Sequence, residues 1–159
     1  MAIAKMNRLH LIALQNDREA LLAKLVHLGC VHLDEPEAPE ELPFADVAED
    51  AWYRDAVAWA VSEELVRGVS ETAFAPDRTM TRQELAAVLW RYAGEPESDH
   101  SIDHHTDDHH VAGYAEDAVA WAVEHGIKGG YPDGTLRPNN TASRAHVAAM
   151  TTRFVDHIA

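Results

Sequence analysis

A chain of 159 residues holds one ordinary domain or two or three small modules. Its 27 acidic residues outweigh 13 basic ones, and the resulting formal net charge of -14 repels polyphosphate backbones, which sets nucleic acid aside as a partner. No apolar run approaches the roughly 20 residues that span a bilayer, and the lone Cys30 excludes an internal disulfide.

Much of the 47 % hydrophobic content is alanine, which buries little area, so the core is expected to depend on Trp52, Trp59, Phe74, Trp90 and Trp121. The first segment, residues 1–35, reads as a small β-α-β unit. Met6 to Leu14 is strand-like. Asn16 and Glu19 then form a capping-box pattern, and Leu21, Leu22, Leu25, Val26 and Leu28 recur at helical spacing up to Gly29. Cys30 to Leu33 reads as the second strand. The apolar stretch Leu9 to Leu14 is about half a signal-peptide core and is interrupted by His10, so no export signal is expected here. An acidic, proline-containing linker follows at 36–43.

From residue 44 an internal repeat dominates. Sliding the sequence by 62 residues superposes Asp55-Ala-Val-Ala-Trp-Ala-Val61 on Asp117-Ala-Val-Ala-Trp-Ala-Val123 without a mismatch. From Arg54 to Tyr92 fourteen of thirty-nine positions are identical without a gap, among them Gly68 with Gly130, Pro76 with Pro138, and Arg82 with Arg144. Chance does not produce such a run. The copies occupy 44–94 and 106–155, and a His/Asp-rich linker lies at 95–105 between them. Each copy predicts a first helix, at about Ala51 to Leu65 and Tyr114 to Ile127. A glycine turn and a loop ending at Pro76 or Pro138 follow. The second helices are predicted from Thr81 to Tyr92 and from Ser143 to Val155. The fold class expected is therefore mainly α, two tandem helix-loop-helix repeats packed on each other after the small β-α-β segment, since such units cannot bury their faces alone.

The second helix starts at a motif that is readable position by position. Thr81 is the N-cap, Glu84 completes a capping box, and Met80 and Leu85 are placed as a hydrophobic staple. Arg82 then falls at the first helical position, where the helix dipole disfavours a cation by up to about 1 kcal/mol, and Arg144 repeats the placement after Ser143. Local rules tend to be broken at functional sites. A guanidinium beside free backbone N–H groups makes a corner for a carboxylate or phosphate. One reading is that Arg82 and Arg144 each hold an acidic group of a ligand. The other is an internal salt bridge, for example from Arg82 to Asp46 or Asp77.

With these residues in view, Phe44-Ala-Asp-Val47, Trp52-Tyr53, Gly68, Phe74-Ala-Pro76 and Thr81-Arg-Gln-Glu84 resemble one S-layer homology repeat. Tyr114 to Val123, Gly130-Tyr-Pro-Asp-Gly-Thr135, Arg137-Pro-Asn-Asn140 and Ser143-Arg144 resemble the next. The resemblance implies a helical module on a bacterial cell surface. Its partner would be a secondary cell-wall polysaccharide, often bound through a pyruvylated sugar, with no cofactor and no enzymatic activity. It places the binding positions at Asp46, Trp52, Gly68, Thr81 and Arg82 in the first copy, and at Asp107, Tyr114, Gly130, Ser143 and Arg144 in the second. Members usually carry three repeats around a pseudo-threefold axis, so two imply one complete groove, with self-association completing the arrangement. Two departures mark the second copy. His146 stands where glutamate would complete the capping box, and His105 replaces the phenylalanine ahead of Asp107. Both lead to the expectation that this copy is less stable and binds more weakly.

The first segment resembles a different family. Met1-Ala-Ile-Ala-Lys-Met6, Leu11-Ile-Ala-Leu14, Asp17-Arg-Glu19 and Leu28-Gly-Cys-Val31 are similar to the extreme N-terminus of V-type ATPase subunit I. The alternative function this implies is that of a truncated or fused fragment of that subunit, working in the cytoplasm through protein–protein contacts.

The linker stretch Asp99 to His110 offers His104, His105, His109 and His110 as weak candidates for zinc or nickel, against a solvated linker as the simpler reading. No cysteine supports a closed site, no HExxH spacing, P-loop or G-x-S-x-G is present, and the loop at Asp133-Gly134 lacks the acidic ladder of an EF-hand.

Overall fold

The computed structural model describes residues 41–158, all within the second of the two units, Met1–Pro36 and Glu37–Ala159, into which the chain divides. The β-α-β reading of residues 1–35 lies outside the described residues.

Among the described residues the regular structure is helical: α1 (Arg54–Ser62), α2 (Arg82–Tyr92), α3 (Glu116–Glu124) and α4 (Arg144–Ile158), with short 3-10 turns at Asp108–His110 and Gly113–Ala115. No strand occurs among them, and one isolated antiparallel bridge joins Thr81 to Thr141. The repeat read from the sequence is thus a helix pair, α1 with α2 and then α3 with α4. The first helix of each pair is shorter than the periodicity implies, because the flanking turns take its ends.

The start of α2 obeys its local code. The Thr81 side chain accepts from the Glu84 N–H at 3.4 Å, and the Glu84 carboxylate accepts from the Thr81 N–H at 2.7 Å, a reciprocal capping box. Arg82 is the first helical residue.

Most of the core lies in the second copy. α3 buries Ala118 to Ala122 in an unbroken run, packed against α2, and α4 adds Met150 and Phe154. Trp121, 2 % exposed, meets the Phe154 ring edge-on at 6.2 Å, and Phe154 in turn meets Tyr92 at 5.9 Å. α2 contributes its own face, Leu85, Ala86 and Leu89. In the first copy a smaller cluster of Phe44, Val47 and Val57 forms, and the Phe44 and Phe74 rings meet at a tilt with centroids 5.4 Å apart.

One expectation is corrected here. The tryptophans are not uniformly core: Trp59, the counterpart of Trp121, is 44 % exposed, and Trp52 is 93 % exposed. Burial is also unequal, greater in the second copy than in the first. The cause is position in the array. α2 of the first copy covers α3 of the second, whereas α1 packs on no other helix among the described residues.

Candidate functional site

Two aspartates hold equivalent loops. The Asp46 carboxylate accepts from the Phe74 and Ala75 N–H groups at 2.8 and 2.7 Å, and Asp107 does the same for Leu136 and Arg137, both at 2.7 Å. Ala75 and Arg137, each held in one of these clamps, have left-handed backbones with φ of 57° and 49°. For a residue with a Cβ that conformation costs about 1–2 kcal/mol, and the charge-assisted bonds offset it. The two backbone bonds hold the Asp46 carboxyl below the usual carboxylate range. At Asp107 burial pushes upward, but the bonds from Leu136 and Arg137 outweigh it and the carboxyl again lies low. Both carboxylates are thus committed to shaping the loops.

Arg82 is set across the boundary between copies. It is 4 % exposed, donates from Nη1 to the Tyr131 hydroxyl and from Nη2 to the Gly129 carbonyl at 3.2 Å, and lies with its guanidinium carbon 4.7 Å from the Tyr131 ring centroid. Its buried Nε has no hydrogen-bond acceptor. No carboxylate pairs with it among the described residues: Asp46 is occupied by its loop, and the ion pairs found are Arg78–Glu84, Arg137–Asp133 and His109–Asp108. The internal-salt-bridge reading therefore fails for Asp46 and Asp77. Burial lowers the Arg82 pKa, with Tyr131 and Asp107 opposing that effect.

The corner of free helix N–H groups is also corrected. The Arg82 N–H donates to Asn140 O at 2.9 Å and the Gln83 N–H to Pro138 O at 3.1 Å, so the tip of α2 is filled by the second copy. Gln83 adds to this seam, accepting from the Ala112 N–H at 2.9 Å and donating to Asn139 at 2.6 Å.

Sequence reasoning missed two groups beside Arg82. Tyr131 meets two guanidiniums, with Arg137 3.9 Å from its ring centroid in addition to the Arg82 contact. Lys128, 1 % exposed, donates to the Leu136 carbonyl at 3.1 Å. Burial, reinforced by Arg82 and opposed by Asp107, pushes its pKa down to about 7. Both come from the loop of the second copy, where the first copy has Val66 and Val69 in their places. That difference between the copies was the available signal.

The other expected positions divide by copy. Asp46, Trp52 and Gly68 sit in the first copy, and none of them hydrogen-bonds to Arg82. A Cβ on Gly68 would fall 2.4 Å from Phe44 Cε1 and 2.5 Å from the Ala73 carbonyl, so glycine is required there by close packing. At Gly130 the nearest atom is Cε1 of His105, at 3.0 Å. His105 thus stands against its glycine where Phe44 stands in the first copy, with Nδ1 3.2 Å from the Gly134 carbonyl. Tyr114 is exposed beside α2, where burial and the Glu84 carboxylate push its phenol up. Thr81 is the N-cap already described. Ser143 caps α4, and Arg144 is exposed, with no hydrogen bond or ion pair among the described residues.

The expected weakness of the α4 start is corrected as well. His146 takes the glutamate's part: its Nδ1 lies 3.2 Å from the Ser143 N–H and 2.9 Å from the Ser143 hydroxyl, while the His146 N–H donates to Ser143 Oγ at 3.3 Å. In the linker, no three His, Cys, Asp or Glu side chains among the described residues are placed to hold a metal ion. A cavity of about 280 Å³ there is lined by Asp103, Asp108, Glu116 and Asp117 along with His100 and His109, a wall that repels an anion.

Residues 43–86 and 106–148 each match the S-layer homology domain. The chain belongs to the S-layer homology domain family. The chain is similar to several curated proteins. The surface-layer 125 kDa protein of Lysinibacillus sphaericus is 36 % identical over 129 residues, 78 % of this chain and 11 % of that protein. Cell surface glycoprotein 1 of Acetivibrio thermocellus is 27 % identical over 122 residues, 72 % of this chain and 5 % of that protein. The cellulosome-anchoring protein of the same organism is 26 % identical over 117 residues, 72 % of this chain and 26 % of that protein. The chain thus spans about a quarter or less of the length of these relatives. Both SLH matches lie outside residues 1–35, so nothing in them supports the resemblance to the ATPase subunit. No helix among the described residues is long and apolar enough to cross a membrane.

Proposed function

We propose that this chain anchors the protein that carries it to the bacterial cell wall, binding an anionic, pyruvylated secondary cell-wall polysaccharide at the junction between its two SLH repeats. The observation that carries the reading is Arg82: a buried guanidinium with no carboxylate partner and an idle Nε, held between α2 and the Gly129–Tyr131 loop. A buried cation left uncompensated is costly, and an anionic ligand is the natural complement. Lys128 adds a second buried cation in electrostatic reach, and exposed aromatics at Tyr114 and Trp52 offer faces on which sugars stack. Surface-layer and cellulosome-anchoring relatives support the setting. The test is retention on purified sacculi before and after mild acid removal of the pyruvyl ketals. Retention by native walls, lost on ketal removal and in Arg82→Gln, is expected. Equal retention on both wall preparations would refute the anionic-ligand reading.

A second copy of the chain is the partner we assign to the α1 face. α2 buries Trp121 of the next repeat, and α4 carries the equivalent face with Val147 exposed, while Trp59 on α1 is exposed in turn. Sedimentation equilibrium of the full chain and of Trp59→Glu checks this: association should occur in the first and be lost in the second.

A further inference from the structure

His146 lies beside the proposed anion site, between the start of α4 and Tyr131. Its Nδ1 faces the Ser143 backbone N–H at 3.2 Å, a donor that can only be met by a lone pair. The Ser143 hydroxyl approaches the same nitrogen at 2.9 Å. The capped ring is therefore the neutral tautomer with its proton on Nε2, and Nε2 lies 3.4 Å from the Tyr131 hydroxyl oxygen. Arg82 Nη1 donates to that oxygen too. With two donors directed at one phenol oxygen, the phenol's own proton must point elsewhere, and no acceptor for it occurs among the described residues. We propose that His146 is a positioning residue that aims the Tyr131 hydroxyl proton at a carboxylate of the bound ligand, and that protonating its imidazole releases that aim. The proposal rests on the anionic-ligand reading above and adds Tyr131 and His146 to it.

Protonation acts through geometry. An imidazolium would set an N–H against the Ser143 N–H, so the ring must leave the cap, and on leaving it Nε2 no longer reaches Tyr131. Across from it the Tyr131 hydroxyl is shared with Arg82, whose own charged neighbours are Arg137, itself paired with Asp133, and Lys128 and Asp107, while Arg144 lies two residues before it on α4.

The experiment is calorimetry on the full chain with a methyl hexoside carrying a pyruvyl ketal, at pH 7.5 and 5.5. The Tyr131→Phe variant, which loses the hydroxyl and with it the acceptor of Arg82 Nη1, should stay folded with a lower melting temperature and bind about ten-fold more weakly at pH 7.5. His146→Gln keeps a capping box with Ser143, so it should fold normally. Lys128 gains charge over this interval in both proteins, so the ratio of wild-type to His146→Gln affinity isolates the histidine. That ratio should fall about five-fold on going from pH 7.5 to 5.5. Wild-type affinity in Tyr131→Phe, or a ratio that does not move with pH, would overturn the proposal while leaving the anion site standing. Failure of the wild-type chain to bind the glycoside at either pH would remove the anionic-ligand reading and this inference together.

Discussion

Lys128 gives the most quantitative handle on this structure. Its ammonium is almost wholly buried, with the Leu136 carbonyl as acceptor and Arg82 in electrostatic reach, so the fold disfavours its charged form. The folded value of about 7 lies below the ordinary 10.5, so between these limits the unfolded chain holds a proton that the folded chain has released. Stability must therefore rise with pH through this window, and the penalty is present in full below about pH 7. Integrated from pH 7 to 9, one such group contributes an increase on the order of 2 kcal/mol. Lys128→Met keeps the length and apolar stem but has no proton to lose. Urea unfolding followed by tryptophan fluorescence at pH 7, 8 and 9 should show the wild type gaining about 2 kcal/mol more than the variant. The variant should also be the more stable of the two at pH 7. Parallel pH profiles for the two proteins would refute the reasoning, because they would mean that Lys128 is solvated in its charged form.

Other consequences follow from the difference between the copies. Trp121→Ala should cost about 3–5 kcal/mol in urea unfolding, and Trp59→Ala, at the matching but exposed position, about 1 kcal/mol or less. Gly68→Ala should lower the melting temperature sharply, because its Cβ meets the Ala73 carbonyl as well as Phe44. Gly130→Ala, which meets mainly the movable His105 ring, should lower it less. Ala75→Gly should raise stability by about 1 kcal/mol by relieving the left-handed backbone, as long as Asp46 stays to hold the loop.

Much of the fold is legible in the sequence because it is written locally. Thr81, Arg82 and Glu84 fall within one helical turn, so their pattern alone places the start of α2. The repeat places α4 by analogy. The assembled site is harder to see for the opposite reason. Arg82 meets Gly129, Tyr131 and Asn140 about fifty residues further on, so its surroundings depend on how one copy docks on the next. Nothing near Arg82 in the chain announces that the helix-tip N–H groups will be filled by Pro138 and Asn140. The same distance hides Trp52. In an amphipathic pattern it reads as core, but it lies where no other helix arrives to cover it.

Tandem copies of one unit are not equivalent once they pack, and this explains why one arginine differs from its twin. α2 has a following repeat to lie against, so Arg82 is buried, its helix tip is closed, and Tyr131 and Lys128 gather around it. α4 has no such neighbour among the described residues, so Arg144 stays in solvent with no hydrogen-bond partner there. The site is therefore a property of the junction: its arginine and helix start come from the first repeat, and its loop, tyrosine and lysine from the second. A substitution in either repeat reaches the junction. Exchanging Lys128-Gly129-Gly130-Tyr131 for the first repeat's Val66-Arg67-Gly68-Val69 would leave Arg82 in place but remove the phenol and the second cation around it. Loss of wall binding in that exchange, with both helices still folded by circular dichroism, is the result the junction requires. Binding that survived it would mean that the first repeat holds the polymer alone.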